Sequence, residues 1–429
     1  MKSSSRGLDL FGALVLIAGV VGGWVIAARD GFIGGDFATL YEMARGIATG
    51  TNVYDVHLMQ TFPERYGAPQ PPGMFYPPAT GFSVLPLVLL PYEAAKITWF
   101  LVMTGAVVFG IRALVRLLSP ASGNHVWMIS AGFVLFSASM RWGMTLLQGA
   151  PLMFGLLCFL IVALHRGHPR AAVAIAVVAT CFKMTLALPF LGLLALHRRF
   201  GAAVLSGAVW VGLNVLGMLR MGSAAFADYR VNMATVEAID NMNAPDPWAG
   251  VALPRLDWVF LINGIIGNLP ASRILALSLS AIACAWLAFE GFRARFPPSL
   301  WVTGTFAAAF VCLGSLCVYH HHYDACLFFV PVLFAAFGDE RLRRPRFALW
   351  LSLPLVVIIS VLPIGRVQGM LFAALGAPGV ALLKLSFPVV FTLAFAGVLV
   401  VLRRQLAAPA EAGDLVGTSP EPPSRLGPV

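Results

Sequence analysis

One pattern constrains this chain more than any other: long apolar runs follow one another, and arginines gather in every second gap between them. The clusters are Arg112/Arg116, Arg166/Arg170, Arg198/Arg199, Arg293/Arg295, Arg341 to Arg346 and Arg403/Arg404, with Lys2 and Arg6 ahead of the first run. The chain is 59% hydrophobic and only 11% charged, against about 25% charged in a soluble domain. An all-α polytopic membrane protein follows. Cytoplasmic loops are the ones that carry Lys and Arg, and placing every cluster on that side gives about twelve transmembrane helices with both termini inside. The expected spans are 8–28, 93–117, 125–140, 150–165, 171–182, 184–196, 201–221, 271–289, 300–318, 325–338, 347–363 and 381–402. The net charge of +10 would point to nucleic acid in a soluble protein. Here the basic residues sit between spans and serve orientation, so no nucleic-acid partner is expected.

The first run, "LDLFGALVLIAGVVGGWVIAA", has the basic start of a signal peptide. It is long enough to span, and no small-residue cleavage site follows, so it reads as an uncleaved first helix. Residues 1–403 form a single domain with two long outer loops, 29–92 and 222–270, while 404–429 is Pro- and Gly-rich and reads as a disordered cytoplasmic tail. The inner gaps are short, so the working face is the outer one. Within the first outer loop, the apolar stretch 80–91 is too short to cross and reads as an interfacial or half-entering element. The six cysteines all fall in apolar runs without a C-x-x-C pair, so neither a disulfide framework nor a zinc site is indicated.

Several polar residues stand where an apolar chain would avoid them. The run 171–196, "AAVAIAVVATCFKMTLALPFLGLLAL", is interrupted only by Lys183, and both of its ends are basic. It must turn at Lys183. Each arm then rises only about 20 Å, short of a hydrocarbon core of about 30 Å, which sets the ammonium at the floor of an outer cavity. A charge at that depth calls for an anionic partner: a substrate phosphate, or Asp36 or Asp324 in a purely structural pairing. Arg141 and Gln148 mark a second outer turn in "MRWGMTLLQGAP", where Arg141 could equally anchor the interface beside Trp142. In "VYHHHYDA", His320, His321 and His322 point about 100° apart on a helix and cannot share one metal. Imidazoles donating to a phosphate or a sugar hydroxyl fit better, with an interfacial His/Tyr belt as the alternative. No metal ligand set and no cofactor are expected. Tyr41, Tyr54 and Tyr76 suit sugar stacking or an interface belt. "IGGDFATLYE" places Asp36 just beyond the first span, as a functional carboxylate or as a helix cap.

Taken in order, "GGDFATLYEMARGIATGTNVYD", "YPPATGFSVLPLVLLPYEAAKITWF", "LLQGAPLMFGLLCFLIVAL" and "ATCFKMTLALPFLGLLALHRRF" resemble glycosyltransferase family 87, and the likeness resumes at "VYHHHYDACLFFVPVL". The resemblance implies a GT-C-like membrane fold and a sugar transferase fed by a polyprenyl-phosphate sugar, with mannose the expected sugar. It implies an acidic general base in the first outer loop, at the position of Asp36. The family's lysine and outer histidine match Lys183 and one of His320 to His322. Its Gly-Gln-x-Asn motif is departed from at Gln148-Gly149-Ala150-Pro151. The expected site therefore comprises Asp36 as base, Lys183, Arg141 and His320 to His322 around the donor phosphate, and Tyr41, Tyr54, Tyr76, Gln148 and Asp324 around the substrates. The acceptor would be a lipid or a glycan at the outer face of the cytoplasmic membrane. A single carboxylate suits one inverting displacement better than a two-carboxylate scheme. The rival from another class is a transporter or flippase of a lipid-linked sugar. It sits poorly with inner loops too short to build a gate.

Overall fold

An apolar run in lipid has no water to satisfy its backbone, so it closes its hydrogen bonds within itself as helix. The computed structural model describes residues 2–29, 35–67, 74–236, 243–249, 254–318, 321–338, 350–352 and 364–407. Among these residues the regular structure is helical, and the one β-type contact is an isolated antiparallel bridge between Arg255 and His321. The helices are α1 (Lys2–Arg29), α2 (Gly35–Thr49), α3 (Val56–Gln60), α4 (Phe62–Tyr66), α5 (Pro78–Val84), α6 (Tyr92–Leu118), α7 (Asn124–Phe136), α8 (Ala138–Thr145) and α9 (Ala150–His165). They continue with α10 (Pro169–Phe182), α11 (Leu188–Leu196), α12 (Phe200–Met221), α13 (Ala224–Val236), α14 (Trp258–Ile266), α15 (Leu269–Arg293), α16 (Leu300–Cys317), α17 (Phe329–Phe337) and α18 (Ile364–Ala407).

Six described segments are long and apolar enough to cross a membrane: Arg6–Val25, Tyr92–Leu118, Phe200–Met221, Leu269–Arg293, Leu300–Cys317 and Phe372–Ala407. The bent pair α8 and α9 makes a seventh if counted as one span. This is fewer than the expected count. The run 125–140 is not one helix: it breaks at Ser137, whose backbone is extended and whose hydroxyl donates to the Val134 carbonyl at 2.7 Å, the local competition with helix that serine offers. The arm expected over 184–196 shortens to a 3₁₀ turn, Met184–Leu186, and the nine residues of α11. The span expected over 325–338 begins as the 3₁₀ segment His322–Phe328 and continues as α17. The one expected over 347–363 lies outside the described residues apart from 350–352, as does the tail beyond Ala407.

Helix pairs approach closely where small residues face each other, as membrane helices commonly do. A Cβ on Gly19 of α1 would stand 2.8 Å from the Gly132 carbonyl of α7. α16 is buried on nearly all sides and packs on α11, α15, α17 and α18. α18 changes direction at Gly376 (φ 67°), just ahead of Pro378. The apolar stretch 80–91 forms most of α5 and the 3₁₀ turn Leu85–Leu89, and α5 packs against α2, α10 and α12. Asn214 of α12 accepts from the Ala79 N–H at 2.9 Å, satisfying a donor at the start of α5.

Candidate active site

Three breaks in regular structure converge at one end of the bundle. The first is the turn between α8 and α9, where the axis bends by 118°. Leu147 takes a left-handed backbone (φ 53°), and its carbonyl accepts from the Trp99 indole at 3.0 Å. A Cβ on Gly149 would stand 1.8 Å from the Phe182 ring, so only glycine lets α10 come this close. Pro151 in the first turn of α9 fits a helix start, where its missing N–H is not needed. The product of this geometry is a buried Gln148.

The second break is Lys183. It ends α10 with non-helical angles (φ −146°, ψ 84°), and Pro189 opens α11 after the 3₁₀ turn. The reversal anticipated from the sequence is thus centred on this lysine. The third is the 3₁₀ segment after α16, which carries Tyr323 and Asp324, both buried.

These side chains bond to one another. Lys183 Nζ donates to Asp324 Oδ1 at 2.6 Å and to Gln148 Oε1 at 3.2 Å, and sits 5.5 Å from the Tyr323 ring centroid. Gln148 Nε2 faces the hydroxyls of Tyr76 at 3.2 Å and Tyr323 at 3.3 Å. The same amide donates to Asp36 Oδ2, so one glutamine bridges the carboxylate and the ammonium. Asp36 lies in the first turn of α2; its carboxylate takes the Gln148 amide, while its backbone carbonyl accepts from Thr39 at 2.6 Å. Burial pushes the Asp36 carboxyl up to about 6. The Gln148 hydrogen bond and the Lys183 charge pull it down, and the Asp324 charge adds to the rise. A carboxyl so placed is poised to take a proton near neutral pH.

Other expected site residues are placed differently. Tyr41 and Tyr54 are buried, and their hydroxyls donate to the carbonyls of Leu90 and Tyr76, each at 2.8 Å. Neither ring is open to stack on a sugar; Tyr54 instead holds the backbone of Tyr76. Arg141 lies with its guanidinium 5.3 Å from the Phe136 ring centroid, and its buried Nε has no hydrogen-bond partner among the described residues. His320 lies outside the described residues, and His322 opens the 3₁₀ segment. His321 is buried and turned toward the loop between α13 and α14: Nε2 is 3.0 Å from Asn243 Oδ1 and Nδ1 is 3.4 Å from the Pro254 carbonyl.

That loop supplies residues the sequence reading passed over. Arg255 forms a buried ion pair with Asp257, Nε to Oδ2 at 2.8 Å and Nη2 to Oδ1 at 3.0 Å. Its Nη1 donates to the Asn243 carbonyl at 2.8 Å, and its backbone bridges His321. The His321 ring lies 5.3 Å from that of Tyr323. The second loop is thereby clamped onto the turn that carries Tyr323 and Asp324. An Arg-x-Asp pair in an otherwise apolar stretch was the available signal.

The sequence model of glycosyltransferase family 87 matches residues 75–319. Tyr76, Gln148, Lys183 and the Arg255 clamp fall inside the matched stretch; Asp36 and Asp324 flank it. Among curated proteins, none matches the chain.

Proposed function

Since the chain belongs to glycosyltransferase family 87, we propose that this membrane glycosyltransferase takes its sugar, a mannose, from a polyprenyl-phosphate carrier and passes it to a lipid or glycan hydroxyl at the outer face of the cytoplasmic membrane. Asp36 removes the acceptor hydroxyl proton as that oxygen attacks the anomeric carbon. The bond from this carbon to the phosphate oxygen breaks on the opposite face, and polyprenyl phosphate departs with the electron pair. One displacement inverts the centre, so a β-linked donor yields an α product. An ammonium has three donors. Two of those on Lys183 go to Asp324 and Gln148, which leaves one for a phosphate oxygen of the leaving group.

The observation that carries the reading is the Gln148 bridge. It places a carboxylate of raised pKa and an ammonium on either side of one amide, as base and leaving-group stabiliser must stand around a reacting carbon. Asp324 holds the ammonium in place, and the hydroxyls of Tyr76 and Tyr323 border the same amide as partners for sugar hydroxyls. The ion pair with Asp324 is also the structural pairing that the sequence allowed for Lys183; what adds function is its sharing of Gln148 with Asp36.

The test uses membranes carrying wild-type protein or Asp36→Asn, supplied with a labelled polyprenyl-phosphate sugar. Wild type is expected to move label from the carrier to an acceptor, and Asp36→Asn to leave it on the carrier. Equal transfer by the two sinks the assignment. The orientation has its own check. A cysteine placed at Gly67 should react with an impermeant thiol reagent in intact cells; reaction only after permeabilisation reverses the topology.

A further inference from the structure

α9, α10, α11 and α16 run from the cluster of Gln148, Lys183 and Asp324 to a second group of polar residues at their far ends. There His165 Nε2 and His197 Nε2 approach the Thr303 hydroxyl at 3.0 and 3.4 Å, and two cavities adjoin. One, of ≈ 80 Å³, is lined by Gly192, Gly291, Phe292, Phe306, Phe310 and Arg198. The other, of ≈ 170 Å³, is lined chiefly by Gly167, His168, His197, Arg199 and Phe296. Consecutive residues thus serve different cavities: Arg198 faces the apolar one, while His197 and Arg199 face the polar one. The backbone of Arg198 is left-handed (φ 56°), a conformation uncommon outside glycine. Its guanidinium donates to the Phe292 carbonyl at 2.8 Å and lies 5.0 Å from the Phe292 ring centroid. That ring stacks on Phe200 at 5.7 Å, and both are exposed on the outside of the bundle.

We infer that these two cavities form one binding site for an anionic phospholipid, with the phosphate head group in the basic cavity and the first methylenes of an acyl chain in the apolar one. An apolar groove alone would take any lipid, and a basic hollow alone any phosphate. Residues 197–199 line the two in alternation, so the pair of them selects a molecule that carries both. Charge favours the anion: Arg166, Arg170 and Arg199 meet no carboxylate among the described residues. Glu290, one residue from Gly291 of the apolar cavity, is buried and lies 3.6 Å from Arg293. α10 and α12 both begin at the basic cavity, with His168 and Arg199 as cap residues and no side-chain cap, which adds the partial positive charge of two helix starts. Basic pockets between membrane helices suit anionic head groups for these reasons. The inference is independent of the sugar chemistry at the other end.

The purified full chain in a non-ionic detergent tests this by native mass spectrometry. Phosphatidylglycerol should be retained at one per chain, at a concentration at least tenfold below that needed for phosphatidylcholine. Arg198→Gln with Arg199→Gln should weaken this retention tenfold or more, while the corresponding lysine pair should keep most of it. Gly291→Leu gives a second arm that leaves every cation in place. A Cβ there would meet its nearest neighbour only at 3.8 Å, so the longer side chain grows into the apolar cavity and should weaken retention as well. Arg403→Gln with Arg404→Gln, at the end of α18, serves as the control. Equal retention of the two lipids overturns the inference, as does equal weakening by the control pair. Displacement of the lipid by millimolar inorganic phosphate, with Gly291→Leu unaffected, would show a free-anion site instead and overturn it too.

Discussion

α10 carries basic residues at both of its ends, and the two ends are built differently. At one, Lys183 is largely buried, and its bonds to Asp324 and Gln148 fix it in place. At the other, His168, Arg170 and Arg199 are exposed, and no carboxylate pairs with them among the described residues. An enclosed charge must be held by fixed partners or it is not tolerated. An exposed one is stabilised by water or by lipid head groups and needs no fixed geometry. The Lys183 end therefore depends on single atoms in defined places, whereas the basic end presents charge without fixed partners among the described residues. Substitutions should separate the two ends by size of effect.

The largest effect is expected at Asp36. Asp36→Asn keeps shape and helix-starting preference but cannot take a proton, so transfer should fall by about 10²–10⁴-fold with donor binding retained. Its stability should change in the direction opposite to a damaged fold. A carboxyl raised from 3.8 to about 6 favours the folded state when protonated, and that contribution is lost as pH rises through about 6. The asparagine variant should accordingly melt at or above wild type at pH 8, and the gap should close below pH 4. A variant that melts well below wild type at pH 8 would make Asp36 a structural carboxylate.

Lys183→Met comes next, with transfer lowered by about 10²–10³-fold, the scale for losing one group that stabilises a developing negative charge. It also strands Asp324, at about 3–5 kcal/mol for a broken buried pair. Lys183→Met combined with Asp324→Asn should regain stability without regaining transfer. Recovery of both would reduce the lysine to a structural partner and bring the two ends of α10 closer in kind.

The pH profile probes the bridge itself. Transfer should fall as pH drops through about 6, where Asp36 protonates. The Gln148 hydrogen bond lowers that value, so Gln148→Leu should shift the acidic limb to higher pH. An unmoved limb would mean that the titrating group is not Asp36.

Arg255→Met should act through position alone. It leaves Asp257 without its cation, though still bonded to the Phe260 N–H, and loosens the loop between α13 and α14 from the turn bearing Tyr323 and Asp324. The expected result is a transfer rate lower by roughly tenfold, about 1.4 kcal/mol, with the acidic limb displaced and partial rescue by Arg255→Lys. Lost stability with an unchanged limb and unchanged rate per folded molecule would confine Arg255 to the fold. At the basic end, Arg170→Gln should change transfer by less than about twofold, as for a surface substitution outside any network. A larger loss would show that the ends of α10 are coupled.

Much of the candidate site was legible from local sequence, because local sequence controls where an apolar helix stops. Lys183 interrupts its run, and Asp36 follows directly on the first span. The 148–151 segment breaks helix through glycine and proline; it and Lys183 sit at breaks between helices and Asp36 in the first turn of α2, and their side chains meet. The tyrosines were less legible. An aromatic ring with a hydroxyl fits a buried core, a belt or a binding surface equally well in sequence. Only packing separated Tyr76, which borders Gln148, from Tyr41 and Tyr54, which bond to carbonyls. Of the expected crossings, six described segments, or seven with the bent α8–α9 pair, have the length and hydropathy of a full span; hydropathy marks a run as apolar, but protein neighbours bury such a run as well as lipid does. α10, at 14 residues, and α11, at nine, are apolar without reaching the length of a span.

The sequence by itself determined that this chain is a helical membrane protein, that its family is glycosyltransferase family 87, and that a lysine and an aspartate stand at helix ends where lipid would not tolerate them free. Those properties are written in runs of a few dozen residues, where composition and periodicity act over short range. Tertiary structure alone decided that Gln148 meets Asp36 across 112 positions, that Lys183 meets Asp324 across 141, and that Arg255 clamps the turn after α16. No local signal encodes such pairings. They follow from the packing of close-fitting helices, which leaves each buried polar atom only the partners that the fold happens to bring within hydrogen-bond reach.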